Sequence, residues 1–140
     1  MIYLDTSVAV PLFIPEPSSA AVDAWFSSCD EKLVSADWLL TEFASALSIK
    51  VRRGEITPAQ AKAAGKDFEI FSRSGLRLLP VTRTAFAQAA VLARDASSGL
   101  RSGDSLHLAM AIEAGAMGVA TADGNLAQNA KANGLAVYRF

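Results

Sequence analysis

Four carboxylates stand where their surroundings call for chemistry. Asp5 follows the apolar run Ile2-Tyr3-Leu4, and Asp123 follows Val119-Ala120-Thr121-Ala122. Asp104 lies at the start of a helical stretch. Taken singly, these three could simply cap helices, since Asp accepts from free backbone N–H groups and suits the helix dipole. Glu42 is different, because it falls in mid-helix. Its neighbours one turn away are Trp38, Leu39, Ser45 and Ala46, at the edge of an apolar stripe. A carboxylate there is costly unless it is paired, protonated or bound to a cation. No Lys or Arg precedes it by three or four residues, and the nearest later ones are Lys50 and Arg52, so no local ion pair can form. With 1 His and 1 Cys in the chain, zinc has no ligand set. Hard divalent cations, Mg²⁺ or Mn²⁺, take carboxylate oxygens and retain water, which suits phosphate chemistry.

Other constellations fall short. Asp104, Ser105 and His107 share one helical turn, so they cannot converge as a hydrolytic triad. His107 is instead expected to pack or hydrogen-bond beside the acids. Asp5-Thr6-Ser7 has Ser where an Asp-x-Asp phosphatase needs a second Asp, and Gly99, Gly103 and Gly115 form no phosphate-binding loop. Cys29 has no basic neighbour to activate it. Arg52, Arg53, Arg73, Arg77, Arg83, Arg94 and Arg101 are scattered, as on solvated helix faces. Arg101, just before the Asp104 helix, is the best placed to meet a phosphate. Trp25, Trp38, Phe43, Phe68 and Phe71 read as core or interface residues rather than base-stacking platforms.

The elements that must carry these acids alternate along the chain. Short branched or aromatic runs read as strands: Ile2 to Leu4, Lys32 to Ser35, Leu76 to Val81, Val119-Ala120 and Leu135 to Tyr138. Between them lie helical stretches. Leu39, Leu40, Phe43, Leu47 and Val51 mark one face of Asp37 to Arg53. Thr57-Pro58 starts a helix running to about Arg73. Thr82 to Ser97, Gly103 to Glu113 and Asp123 to Asn133 follow, stopped by Gly99, Gly115 and Gly134. Pro11, Pro15 and Pro17 break the first helical region into short pieces. The pattern predicts a three-layer α/β/α sandwich with a mainly parallel sheet of about five strands. In such a sheet ligands bind outside the carboxyl ends of the strands, where all four acids could meet.

The chain has 140 residues, 51% hydrophobic and 19% charged, which suits one domain, residues 1–140, and excludes wholesale disorder. No run reaches the roughly 18 apolar residues of a membrane helix. The opening Met1-Ile2-Tyr3-Leu4-Asp5 lacks the basic region of a signal peptide, so a cytoplasmic protein is expected. The net charge of −1 counts against a strongly basic nucleic-acid binder on the total. Removing the four acids leaves 13 basic against 14 − 4 = 10 acidic residues, a mildly basic surround.

Met1-Ile2-Tyr3-Leu4-Asp5-Thr6-Ser7, Thr41-Glu42-Phe43, Gly103-Asp104-Ser105-Leu106-His107-Leu108-Ala109 and Ala120-Thr121-Ala122-Asp123, in that order, resemble PIN-domain nucleases of the VapC toxin type. The resemblance implies a metal-dependent endoribonuclease, Mg²⁺ or Mn²⁺ being the ion, with tRNA the favoured substrate. It implies Asp5 and Asp104 as direct ligands and Asp123 as a ligand of a second ion or of its water. Glu42 completes the pocket. Thr6, Ser7 and Thr121 would hydrogen-bond the carboxylates, and Asn125 stands where relatives carry another acid. A VapB-like antitoxin and a homodimer partner are also implied. Phe13, Ile14 and the Trp38 to Val51 helix are expected to supply apolar surface for them. A non-catalytic RNA-binding module and a phosphohydrolase of small phosphate esters remain the alternatives.

Overall fold

The computed structural model describes residues 1–140. Five strands form one sheet: β1 (Ile2–Leu4), β2 (Leu33–Ala36), β3 (Arg77–Leu79), β4 (Gly118–Thr121) and β5 (Ala136–Arg139), in the order β3-β2-β1-β4-β5. Every pairing is parallel, with Tyr3 opposite Val34 on one side and Val119 on the other. Parallel strands need helical crossovers, which the Ala- and Leu-rich stretches supply. These are α1 (Thr6–Ala9), α2 (Ser19–Ser28), α3 (Trp38–Arg52), α4 (Pro58–Ser74), α5 (Arg83–Arg94), α6 (Ser102–Glu113) and α7 (Gly124–Ala132).

Side chains alternate across each strand and so build two cores. Ile2, Leu4, Leu33 and Ala120 face one core with Val8, Val22, Leu39, Phe43, Leu47 and Phe68 from α1 to α4. Tyr3, Val34, Ala36 and Val119 face the other, with Ala85, Leu108, Met110 and Leu126 from α5 to α7. The expected three layers are therefore present, and the sheet is wholly rather than mainly parallel.

Several boundaries differ for local reasons. The strand expected over Leu76 to Val81 contracts to Arg77–Leu79, because Pro80 has no N–H to donate. The helix expected from Thr82 to Ser97 ends at Arg94. A 3₁₀ turn over Ala96–Ser98 follows, closed by Gly99 at φ 66°. Thr57 makes the cap expected of it: its side chain accepts from Gln60 N–H at 3.1 Å, and Gln60 reciprocates at 2.8 Å.

One expectation is narrowed. Phe13 and Ile14 offer less free apolar surface than their sequence suggests, with Phe13 half-buried. Ile14 is buried, and Phe13 packs edge-on against Phe43 and Phe68, with ring centroids 5.7 and 5.8 Å away. The 3₁₀ turn over Val10–Leu12, with Pro11 in it, folds this segment back over α3 and α4. Phe43 and Phe68 themselves stack at 3.8 Å in the core.

Candidate active site

The chain leaves β1 in one direction to build β2 and β3, and returns through β4 in the other to build β5. A crevice opens at the carboxyl ends of the strands where that order reverses. Asp5 directly follows β1, and Asp123 follows β4 with only Ala122 between, so the two acids flank the crevice. Glu42 reaches it from α3 and Asp104 from the first turn of α6. All four line one cleft of about 330 Å³, together with Thr6, Ser7 and Ser45.

Asp5 is only 4% exposed, yet it caps nothing through its side chain. Its Oδ2 accepts from the Ser7 hydroxyl and from the Thr121 hydroxyl at 2.8 Å. Thr121 Oγ1 in turn accepts from Asp123 N–H at 3.0 Å, and Ser7 Oγ from Ala122 N–H at 2.8 Å. Hydroxyls thus stitch the ends of β1 and β4 together and turn Asp5 inward. Asp123 combines two readings that the sequence set against each other. Its Oδ1 caps α7 by accepting from Leu126 N–H at 2.7 Å, while the residue still lines the cleft.

Asp104 occupies the third position of α6 and makes no side-chain cap. Burial, then the nearby charges of Asp123 and Asp5, push its carboxyl above the ordinary value. Burial and the neighbouring acids thus outweigh the opposing pull of His107 and of the Arg101 backbone.

Glu42 has found a counter-charge that no local pattern could reveal. His107, 65 residues away and 1% exposed, places Nε2 2.6 Å from Glu42 Oε2. The Thr6 hydroxyl donates to the same oxygen. Burial acts to raise the Glu42 pKa, but the His107 hydrogen bond and charge and the Thr6 hydroxyl outweigh it and hold it low. Burial likewise acts to lower the His107 pKa, and Glu42 and Asp5 overcome that to raise it. Glu42 Oε1 lies against Gly103, where a Cβ would stand only 2.7 Å from it. Gly103 therefore admits the carboxylate to the start of α6.

Two candidate residues stand apart from the acids. Asn125 is exposed and donates from Nδ2 to Gly99 O at 3.1 Å, tying down the turn before α6. Arg101 is the exposed residue preceding α6. Sequence reasoning missed Tyr3, whose hydroxyl lies 2.9 Å from His107 Nδ1. The alternation of β1 was the available signal, since it turns Tyr3 away from Ile2 and Leu4 and toward α6. Arg139, at the end of β5, brings its guanidinium 3.1 Å from the Cβ position of Gly124 at the start of α7.

A divalent cation fits this donor set. Asp5, Glu42 and His107 offer ligand atoms within 4.8 Å of one another, with Asp104 and Asp123 in the same cleft. Both His107 nitrogens already have partners in Tyr3 and Glu42, which leaves carboxylate oxygen as the available ligand type.

The sequence profile of the PIN domain matches residues 2–132. The chain belongs to the PIN-domain family. Within that family its relatives are VapC ribonucleases. It is 32% identical over 122 residues to Ribonuclease VapC45 of Mycobacterium tuberculosis, covering 87% of this chain and 82% of that protein. Among solved structures, the PIN fold superposes on VapC20 of Mycobacterium tuberculosis, described as a Sarcin-Ricin loop cleaving toxin. The TM-score is 0.74 and the identity 18%, covering 92% and 95% of the two chains. FitAcB from Neisseria gonorrhoeae matches with a TM-score of 0.69 at 20% identity, over 99% and 97%. At such identities the structural likeness speaks for the PIN fold, and the VapC ribonuclease relationship rests on the sequence match.

Proposed function

We propose that this PIN domain, residues 1–140, is a Mg²⁺-dependent endoribonuclease and the toxin of a VapBC-type pair, with Mn²⁺ as a substitute ion. The observation that carries this reading is the meeting of four acids, from four separate segments, in one cleft at the sheet's switch point. Binding alone would not require Glu42 to be held there, which disfavours a non-catalytic RNA-binding module.

Asp5 and Asp104 would hold the ion directly, and Asp123 would hold a second ion or a water of the first. When bound, the ion supplies a water of lowered pKa and a counter-charge for the phosphate oxygens. Ser7 and Thr121 would hold the Asp5 carboxylate in place by donating to its Oδ2. Glu42, anchored through Oε2 by His107 and Thr6, would complete the ion's pocket and orient the attacking water with the oxygen that remains. Arg101, exposed just ahead of α6, would meet a phosphate of the RNA.

Transfer RNA is the favoured substrate. The ribosomal Sarcin-Ricin loop is the second reading, because VapC20 is described as cleaving it. Partners follow the same logic. The solved neighbours include VapBC2 from Rickettsia felis bound to a promoter DNA fragment. A VapB-like antitoxin placing a basic side chain in the acidic cleft would block phosphate entry. Phe86 and Val91 on α5 are 54% and 63% exposed, which suits a homodimer contact. No helix is long and apolar enough to cross a membrane, and a cytoplasmic site of action is proposed.

The test assays purified wild type, Asp5→Asn and Asp104→Asn on RNA, DNA and a small phosphomonoester, with Mg²⁺, Mn²⁺ or EDTA. Wild type should cleave RNA with Mg²⁺ and stop with EDTA, and both variants should fold but not cleave. Near-normal cleavage by both variants would sink the assignment, and preference for the phosphomonoester would favour a phosphohydrolase. Mapping the 5′ ends of cleaved RNA after brief expression would identify the substrate.

A further inference from the structure

We infer that His107 is a positioning residue for Glu42, with its orientation set from behind by Tyr3. The inference rests on the acidic cleft being the metal-dependent site proposed above.

α3 and α6 pack on opposite faces of the sheet, and Glu42 must reach across the carboxyl edge to meet the α6 side. Its side chain is 27% exposed and shares the cleft with Asp5, Asp104 and Asp123. A carboxylate in such company would turn outward to water unless something holds it. His107 supplies that hold from below, with Nε2 2.6 Å from Glu42 Oε2 and 3.5 Å from Asp5 Oδ1.

The ring is itself fixed. The Tyr3 ring meets the His107 ring edge-on at 70°, with centroids 5.7 Å apart. The Tyr3 hydroxyl is 2.9 Å from Nδ1. Nε2 faces the carboxylate oxygens of Glu42 and Asp5, which only accept, so it carries an imidazole proton aimed at Glu42, and the Tyr3 hydroxyl pairs with Nδ1 behind it. The sequence places these parts with little freedom. Tyr3 is two residues before Asp5 on a strand, and His107 is three residues after Asp104 on a helix. Asp5 and Asp104, two of the four acids of the cleft, thus each sit near one member of the Tyr3–His107 pair in the sequence.

His107 is the only histidine in the chain, so its ring resonances can be read directly by ¹⁵N NMR. The inference expects a slowly exchanging proton on Nε2 in wild type, shifted in Glu42→Gln and in Tyr3→Phe. A proton carried on Nδ1 alone would overturn it. Mn²⁺ affinity of the apo-protein, measured by EPR titration, provides the second readout. His107→Leu should weaken binding roughly 10-fold or more, and His107→Gln, which keeps an N–H near Nε2, should restore most of it. In a Glu42→Gln background, His107→Leu should change affinity little, because its effect passes through Glu42. Equal losses in both backgrounds, or wild-type affinity in a folded His107→Leu, would overturn the inference. If His107→Leu does not fold, the wild-type and Glu42→Gln resonances still decide the matter. Neither readout uses RNA, so the result is independent of whether cleavage is observed.

Discussion

Asp104 and Gly103 adjoin in the sequence but act on the site in opposite senses. Asp104 carries strain: its raised pKa means that the folded protein binds its proton more tightly than the unfolded chain does. Any contribution it makes to stability is present below the ordinary value of 3.8 and is lost as pH rises through the folded value. Asp104→Asn should therefore raise the melting temperature of metal-free protein by a few degrees at neutral pH, with the gain vanishing near pH 3. Thermal melts in EDTA across that range would check this, and the same variant should be inactive. Gly103 supplies space. In Gly103→Ala the new methyl would meet Glu42 Oε1 at 2.7 Å, and the carboxylate is the part free to move. The fold should survive, since Ala suits a helix better by up to about 1 kcal/mol. RNA cleavage should fall roughly 10-fold or more as Glu42 is displaced. A wild-type rate in that variant would show that the placement of Glu42 does not matter.

The helices and strands were legible where a single segment carries its own signal. Thr57-Pro58 announced α4, and Gly134, at φ 80°, marks the turn after α7. Thr57→Ala should lower stability by about 1 kcal/mol, read from denaturant unfolding, and leave cleavage unchanged because the cap lies outside the cleft. The four acid-bearing segments were legible for the same reason, each lying at the end of a strand or on a helix with a recognisable pattern. What stayed hidden depends on contacts between segments. The Glu42–His107 bond spans 65 residues and the Tyr3–His107 bond spans 104, and no local periodicity encodes either. The packing of Phe13 stayed hidden for a related reason: its neighbourhood is rich in proline, and its aromatic partners come from α3 and α4.

Across the whole molecule, the net charge of −1 conceals an uneven distribution. Four acids gather in one cleft, while Arg77, Arg83, Arg94, Arg101 and Arg139 are exposed. A cation that binds only the folded cleft must stabilise the fold. Mg²⁺ at about ten times its dissociation constant should add about 1.4 kcal/mol, seen as a rise in melting temperature of a few degrees. Asp5→Asn should abolish that rise, and an equal rise in Asp5→Asn would place the ion elsewhere.

The hydroxyl stitching at the switch point has one more consequence, which concerns synthesis. Asp5 takes its orientation from Thr121, 116 residues later, and Ser7 Oγ receives the N–H of Ala122, 115 residues later. Asp104 and Asp123 are also made late. A chain emerging from the ribosome has β1 and Glu42 early, but no assembled cleft until β4 slots in beside β1. The order of residues therefore acts as a timer. A protein whose proposed activity would damage the translating cell remains harmless for most of its own translation.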